Sequence, residues 1–154
     1  MFFENMSQTE TCDMVYIVKK NIQLKADPLK VWDALTNPEK TKKYFFHCRV
    51  YSEWQQGSQI LFKGRFFFFF PIELKGIILE IEPGKRLKYT LKNRKGENTS
   101  SSTVTIALGF ANGETTLSIS DDVGQGEGAE KRFKRSIKGW DKVLKGLKSV
   151  VERK

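Results

Sequence analysis

The sequence predicts an α+β fold, in which a curved antiparallel sheet of six to seven strands wraps around a long C-terminal helix and two short helices follow the first strand. Three observations predict it: two proline-led helix starts early in the chain, alternating apolar patterns separated by short turns in the middle, and one long apolar stripe at helical spacing near the end. The 154 residues suit one domain with one core. Residues 1–13 are interpreted as a flexible N-terminal tail and residues 14–154 as that domain.

The first strand is predicted over Val15–Leu24, where apolar residues recur. Two short helices are then expected, because Asp27-Pro28 and Asn37-Pro38 each place a capping side chain before a proline at the first helical position. The second of these helices is expected to reach Phe45.

Strands joined by short turns should follow, and short turns imply an antiparallel sheet. Pro71 is expected to break the pairing, Pro83-Gly84 to turn the chain, and Asn112-Gly113 to form a hairpin turn. Residues 93–101 are interpreted as a polar loop. The predicted strands are residues 47–53, 59–70, 72–82, 86–92, 104–110 and 115–121.

The last element is a long helix that begins near Ala129. Its apolar residues recur every three or four positions, which makes one continuous stripe able to cover the sheet. Gly139 and Gly146 lie in this helix, where each costs roughly 1 kcal/mol relative to Ala. They indicate either close packing against a neighbour or glycines that are tolerated at the surface. The stripe consists of Phe133, Ile137, Trp140, Leu144, Leu147 and Val151.

Composition narrows the classes of function. The formal charge of +9 favours contact with anions, but the basic residues are spread over several elements, so a solvated surface is favoured over a nucleic-acid site. Cys12 and Cys48 make no disulfide framework, and His47 is the only histidine, so we expect no metal and a reduced, cytoplasmic location. No signal-peptide pattern and no apolar run of ~20 residues is present, so no integral membrane association is expected.

The segments Ile22–Glu39, Trp54–Ile60 and Leu74–Thr90, followed by Gly139-Trp140, carry a resemblance to a known family. Over residues 15–151 the chain resembles the family named for the activator of the 90 kDa heat-shock protein ATPase, within the START-like helix-grip superfamily, also called SRPBCC. The resemblance implies a helix-grip fold with a cavity under the last helix that takes lipids, sterols, polyketides or other apolar molecules. It carries over no chaperone activity, because the activator itself has a second, N-terminal domain.

Aromatic side chains are the main candidates for a binding site, because ligand cavities are mostly apolar with a few polar groups. The alternative is a filled core in which these rings pack on each other. Tyr89, Glu80 and Asp121 are the candidate polar groups. The predicted ligand-binding residues are Trp32, Phe45, Phe62, Phe66, Phe68, Ile78, Tyr89, Phe133, Ile137 and Trp140.

The leading hypothesis is binding of a small hydrophobic or amphipathic ligand, with no cofactor. One alternative is a cyclase- or hydrolase-type enzyme that uses Tyr89 or Glu80 as acid or base. Another is a stress-related protein-interaction module whose exposed rings are Phe67 and Phe69, with homodimer formation left open. His47 and Cys48 cannot form a catalytic dyad on a strand, since neighbours point to opposite faces. The glycines of residues 124–128 favour a flexible loop or a lid over a phosphate site.

Overall fold

The computed structural model describes residues 15–66, 70–95 and 98–153. The predicted N-terminal tail and the rings of Phe67 and Phe69 lie outside these residues. The elements in chain order are β1 (Ile17–Leu24), α1 (Pro28–Thr36), α2 (Pro38–Tyr44), β2 (Arg49–Ser52), β3 (Gln59–Phe66), β4 (Phe70–Glu82), β5 (Arg86–Lys95), β6 (Asn98–Ala111), β7 (Glu114–Asp122) and α3 (Ala129–Glu152).

All seven strands form one curved antiparallel sheet in the order β1-β7-β6-β5-β4-β3-β2. The apolar stripe of α3 packs against the concave face, where Trp140, Leu144 and Leu147 join the buried residues of the sheet. The predicted α+β helix-grip fold is therefore confirmed. No helix among the described residues is long and apolar enough to cross a membrane.

Both predicted helix starts are confirmed. The side chain of Asp27 accepts a hydrogen bond from Leu29 N at 2.8 Å, and that of Asn37 accepts one from Glu39 N at 3.0 Å. Each cap satisfies a backbone N–H that has no partner within its helix. The caps start α1 and α2 at Pro28 and Pro38, and these two helices bring the chain to the rim of the concave face.

The polar loop predicted at 93–101 is wrong. β5 continues to Lys95 and β6 begins at Asn98, and the two strands pair through Arg94 and Thr99. Backbone pairing between strands requires no apolar side chains. The alternation of apolar residues that predicts strands therefore does not detect this polar hairpin.

The bounds of β2, β3 and β4 also differ from the prediction. β3 ends at Phe66, and Pro71 lies inside β4 opposite Arg65 instead of breaking the sheet. A proline is tolerated there because the observed pairing of β4 with β5 covers only Lys75–Glu82. β2 begins at Arg49 and not at residue 47, because Phe46 and His47 have φ of 50° and 60°, which turns the chain before the strand.

Candidate functional site

A cavity of about 230 Å³ lies between α3 and the concave face of the sheet. Its apolar wall combines Leu74 of β4, Leu91 of β5 and Val104 of β6 with Phe45 and Phe46, which follow α2. Phe46 follows the C-cap of α2 with a left-handed backbone, and 44% of the residue remains exposed. The cavity is thus largely apolar and partly open on the side of Phe46.

Asp121 is the buried acidic group of this cavity, with only 6% of its surface exposed. It lies near the end of β7, where alternate residues face the core, so its side chain points inward like Leu117 and Ile119. Its Oδ2 accepts hydrogen bonds from Ser136 Oγ at 2.6 Å and from Trp140 Nε1 at 2.9 Å. Its Oδ1 is buried and has no hydrogen-bond partner among the described residues. A buried polar atom of this kind is rare in native proteins.

Arg132 in the first turns of α3 holds the loop that precedes the helix. Its Nε donates to Val123 O at 3.0 Å. Its Nη1 donates to Glu127 O at 2.9 Å, and its Nη2 to Gln125 O at 3.2 Å. The glycine loop predicted as a flexible loop or a lid is thus fastened to α3 by one guanidinium group.

Arg135 lines the same cavity one helical turn farther along α3 and is exposed. No ion pair of Arg135 is found among the described residues, whereas Lys134 next to it pairs with Glu130. Arg132 and Arg135 together make this side of the cavity positive. An anionic group at the mouth would therefore be favoured over a cationic one.

Four of the predicted site residues form one aromatic cluster. Phe45 and Trp140 line the 230 Å³ cavity, and both also border a smaller internal cavity of about 30 Å³ together with Phe62 and Tyr89. Ring centroids are 4.6 Å apart for Phe45 and Phe62, and 6.0 Å apart for Phe62 and Tyr89. Phe45 and Trp140 therefore belong both to the wall of the larger cavity and to the core, whereas Phe62 and Tyr89 are core residues that border only the smaller cavity.

The other predicted site residues whose side chains the structure describes line neither cavity. Ile78 is fully buried in the core, and Phe133 packs edge-on against Tyr16 with ring centroids 5.7 Å apart. Trp32 and Ile137 are half-buried against the core. The side chains of Phe66 and Phe68 lie outside the described part of the structure.

The sequence reasoning missed the polar side of α3. Arg132, Ser136, Gly139 and Val143 all line the cavity and follow one another by four, three and four residues. They form a second stripe beside the apolar one. The regular spacing was available as a signal, but mixed polar and small residues do not stand out in a search for apolar periodicity.

Glu80 is wrong as a cavity group. The register of β4 against β5 shifts by one residue between Ile78 and Glu80, which turns Glu80 outward. Its carboxylate is exposed and lies 3.6 Å from both Arg86 Nη2 and Lys88 Nζ. Tyr89, in contrast, is buried, and burial together with the Asp121 charge raises its pKa above the ordinary value.

His47 and Cys48 lie before β2 and not on a strand, so their difference in exposure, and not the alternation assumed from the sequence, keeps them from forming a dyad. His47 is exposed, whereas Cys48 is fully buried beneath the sheet. Burial raises the pKa of the Cys48 thiol to about 11, which keeps it protonated and unreactive at neutral pH. Within the described residues, no three His, Cys, Asp or Glu side chains are grouped so as to hold a metal ion.

Comparison with known proteins gives one family. Residues 25–152 match the family described as Activator of Hsp90 ATPase homolog 1-like protein. No curated protein matches the chain in sequence. A solved structure from Cytophaga hutchinsonii is 33% identical with a TM-score of 0.66, covering 88% of this chain and 93% of that one.

Two further solved structures share the fold at lower identity. A Mesorhizobium loti protein has a TM-score of 0.76 at 21% identity, covering 89% of this chain and 97% of its own. The Aha1 dimer from Colwellia psychrerythraea, solved in solution, has a TM-score of 0.70 at 19% identity, covering 88% of this chain and 96% of its own. With the family match extending from the residue after β1 to the end of α3, the chain belongs to the family of Activator of Hsp90 ATPase homolog 1-like proteins.

Proposed function

We propose that the protein binds a small hydrophobic or amphipathic molecule in the cavity between α3 and the sheet. The observation that supports this function is an apolar cavity of about 230 Å³ that contains one buried carboxylate and borders two arginines. An apolar cavity of roughly 150 Å³ is sufficient to bind benzene. The cavity therefore suits a molecule with an apolar body of one or two rings and a few polar groups.

The energetics of such binding come mainly from the apolar wall. Each Å² of apolar surface removed from water contributes roughly 25 cal/mol. Phe45, Leu91, Val104 and Trp140 offer this surface on three sides of the cavity. Polar groups on the ligand would then determine orientation and selectivity.

A thermal-shift screen of small aromatic and aliphatic molecules tests the proposal, with native mass spectrometry to detect a bound molecule. A ligand at 100 times its Kd should stabilise the fold by roughly 2.7 kcal/mol, which raises Tm by about 5–10 °C in a domain of this size. The variant Leu91→Trp, which fills the cavity, should abolish the shift. Leu79→Trp is the matched control, because Leu79 is exposed and does not line the cavity.

A ligand that stabilises Leu91→Trp as much as the wild type would place binding elsewhere and contradict the proposal. The absence of any stabilising molecule, together with a protein that purifies without a bound compound, would favour a filled core. In that case the protein-interaction alternative would be next, although its proposed rings Phe67 and Phe69 lie outside the described residues.

The remaining expectations stay predictions. The Colwellia psychrerythraea structure is a dimer, so a homodimer of this chain is retained as a proposal that light scattering would test. A cytoplasmic location and the absence of nucleic-acid binding are likewise retained. For the enzyme alternative, Tyr89 remains as the acid or base named from the sequence, since Glu80 faces solvent.

A further inference from the structure

The unpaired oxygen of Asp121 needs a partner. Oδ2 already accepts two hydrogen bonds, from Ser136 and Trp140, which fixes the orientation of the carboxyl group. Oδ1 is withdrawn from solvent and has no partner among the described residues. A buried acceptor that has lost its water without gaining a donor is costly, and burial of a charged one is more so. Since Asp121 lines the cavity, a bound molecule is the available source of a donor.

We propose that the ligand is an apolar alcohol or phenol whose hydroxyl group donates a hydrogen bond to Asp121 Oδ1. This inference rests on the proposed function and adds to it the chemical class and the orientation of the ligand. The apolar body lies along Leu91 and Val104, with its far end toward Phe46 at the open side.

The charges around the cavity favour a neutral donor over a cationic one. An ionised carboxylate only accepts hydrogen bonds, so both an alcohol and an ammonium group match its chemistry. Arg132 and Arg135 line the same cavity, however, and would repel an ammonium group. A hydroxyl group satisfies Oδ1 without adding a positive charge beside the two guanidinium groups.

Three probes with the same two-ring body separate these classes by calorimetry: 2-naphthol, 2-methoxynaphthalene and 2-naphthylmethylammonium. A ligand that donates a hydrogen bond to a charged acceptor binds roughly 10- to 100-fold more tightly than a ligand that lacks the donor. We therefore expect 2-naphthol to bind at least about tenfold more tightly than its methyl ether, which lacks the donor. The ammonium probe should bind more weakly than 2-naphthol.

Two variants locate the preference. Asp121→Asn keeps an oxygen that can accept from Trp140 and Ser136 but presents an NH₂ group in place of Oδ1, so 2-naphthol and its ether should bind about equally. Asp122→Asn is the matched control, because it makes the same change one residue farther along the chain, at an exposed side chain that does not line the cavity, so the preference should persist. Thermal melts establish that both variants fold. If Asp121→Asn does not fold, the ratio of the two affinities in the wild type decides by itself.

Each outcome has a separate meaning. Equal binding of 2-naphthol and 2-methoxynaphthalene to the wild type, or an undiminished preference in folded Asp121→Asn, overturns this inference and leaves the proposed function standing. Tightest binding of the ammonium probe also overturns it, in favour of a cationic ligand. If none of the three probes binds, this inference is overturned, and the result also counts against ligand binding in the cavity.

Discussion

The two glycines inside α3 differ in what surrounds them. A Cβ built on Gly146 would lie 2.6 Å from Tyr44 Cβ and 3.2 Å from Tyr44 Cα, so α2 and α3 approach closely at this point. A Cβ on Gly139 would lie 3.5 Å from Phe46 Cζ, an ordinary contact distance. The close packing that the sequence suggested for both positions is thus present at Gly146. At Gly139 the missing side chain instead borders the cavity.

Gly146→Ala should destabilise the fold by roughly 1–3 kcal/mol, because the added methyl group meets Tyr44 in a packed contact. Tyr44 cannot easily move, since its hydroxyl group donates to Ala34 O at 2.7 Å. Gly139→Ala in the same helix should be neutral or stabilising by up to about 1 kcal/mol, since it gains helix propensity without a clash. Urea unfolding of both variants measures the difference. An equal effect at the two positions would refute the packing argument.

Two acidic residues on different strands, Glu80 of β4 and Asp121 of β7, show what sequence reasoning can and cannot decide about single residues. Both are named from the sequence as candidate polar groups of the cavity. Asp121 follows the alternation of β7 into the core, whereas a one-residue shift in β4 turns Glu80 to solvent. The shift depends on pairing between strands, which no single segment of sequence contains.

At the start of α3, the N-cap residue supplies no side-chain cap, and Arg132 instead ties the preceding loop to the helix. Gly128 at the N-cap has φ of 81° and makes no side-chain hydrogen bond to the helix. Arg132 reaches back to three carbonyl groups of the preceding loop, and a Cβ on Gly128 would lie only 3.1 Å from its Nη1. Glycine at this position therefore makes room for the guanidinium group, which fixes how the helix begins beside the cavity.

Arg132→Lys should loosen the loop before α3, because an ammonium group is a point charge and cannot reach three carbonyl groups with one rigid fork. We expect faster amide hydrogen exchange over residues 123–128 and a loss of roughly 1–3 kcal/mol in local stability. Hydrogen exchange followed by mass spectrometry measures both. Arg135→Lys is the control, since Arg135 is exposed and makes no hydrogen bond of this kind in the described structure. If amide hydrogen exchange over residues 123–128 is unchanged in Arg132→Lys, the glycines alone determine the conformation of the loop.

Elements with strong local signals were predicted well, and those formed by pairing were not. The caps at Asp27 and Asn37 and the stripe of α3 are local properties, readable from a few adjacent residues. The β5–β6 hairpin forms despite its polar sequence, because the two strands pair with each other. Pro71 lies within a strand because β4 pairs with β3 at this position. In both cases the partner strand, and not the segment itself, determines the conformation.

At the end of α3, Glu152 and Lys148 bind the helix to the end of β1 and to Lys25, which follows that strand. Its carboxylate accepts hydrogen bonds from Lys148 Nζ and from Lys25 N, both at 2.8 Å. Lys148 Nζ also donates to Gln23 O at 3.1 Å, so the end of the helix is bound to the end of β1. Farther up the helix, Asp141 pairs with Lys20 of β1 at 2.6 Å. These contacts hold α3 against the edge strand β1.

Glu152→Gln should lower stability at neutral pH but not in acid. The hydrogen bonds from Lys148 and Lys25 hold the pKa of Glu152 below its ordinary value of 4.5. A carboxyl group whose pKa is lower in the folded state stabilises the fold at pH values above its unfolded-state pKa. This stabilisation is lost as pH falls through the folded-state pKa. Urea midpoints of wild type and variant should therefore differ at pH 7 and converge as pH falls below 4.5.

Glu130→Gln is the control at the other end of α3, where the pair with Lys134 is exposed and its effect should be smaller at every pH. A difference between wild type and Glu152→Gln that stayed constant down to low pH would show that the charge of Glu152 is not responsible.

The sequence by itself determined the α+β class, the helix caps, the covering role of the last helix and the aromatic character of the interior, because each depends on local periodicity and composition. Tertiary structure decided where the cavity lies, since its wall joins β4, β5, β6, β7 and α3, which are distant in the chain. It also placed Asp121 beside Ser136 and Trp140, turned Glu80 outward and set Arg132 on the loop carbonyls. These features depend on which strands pair and how a helix packs across them, and such contacts have no signature within any one segment.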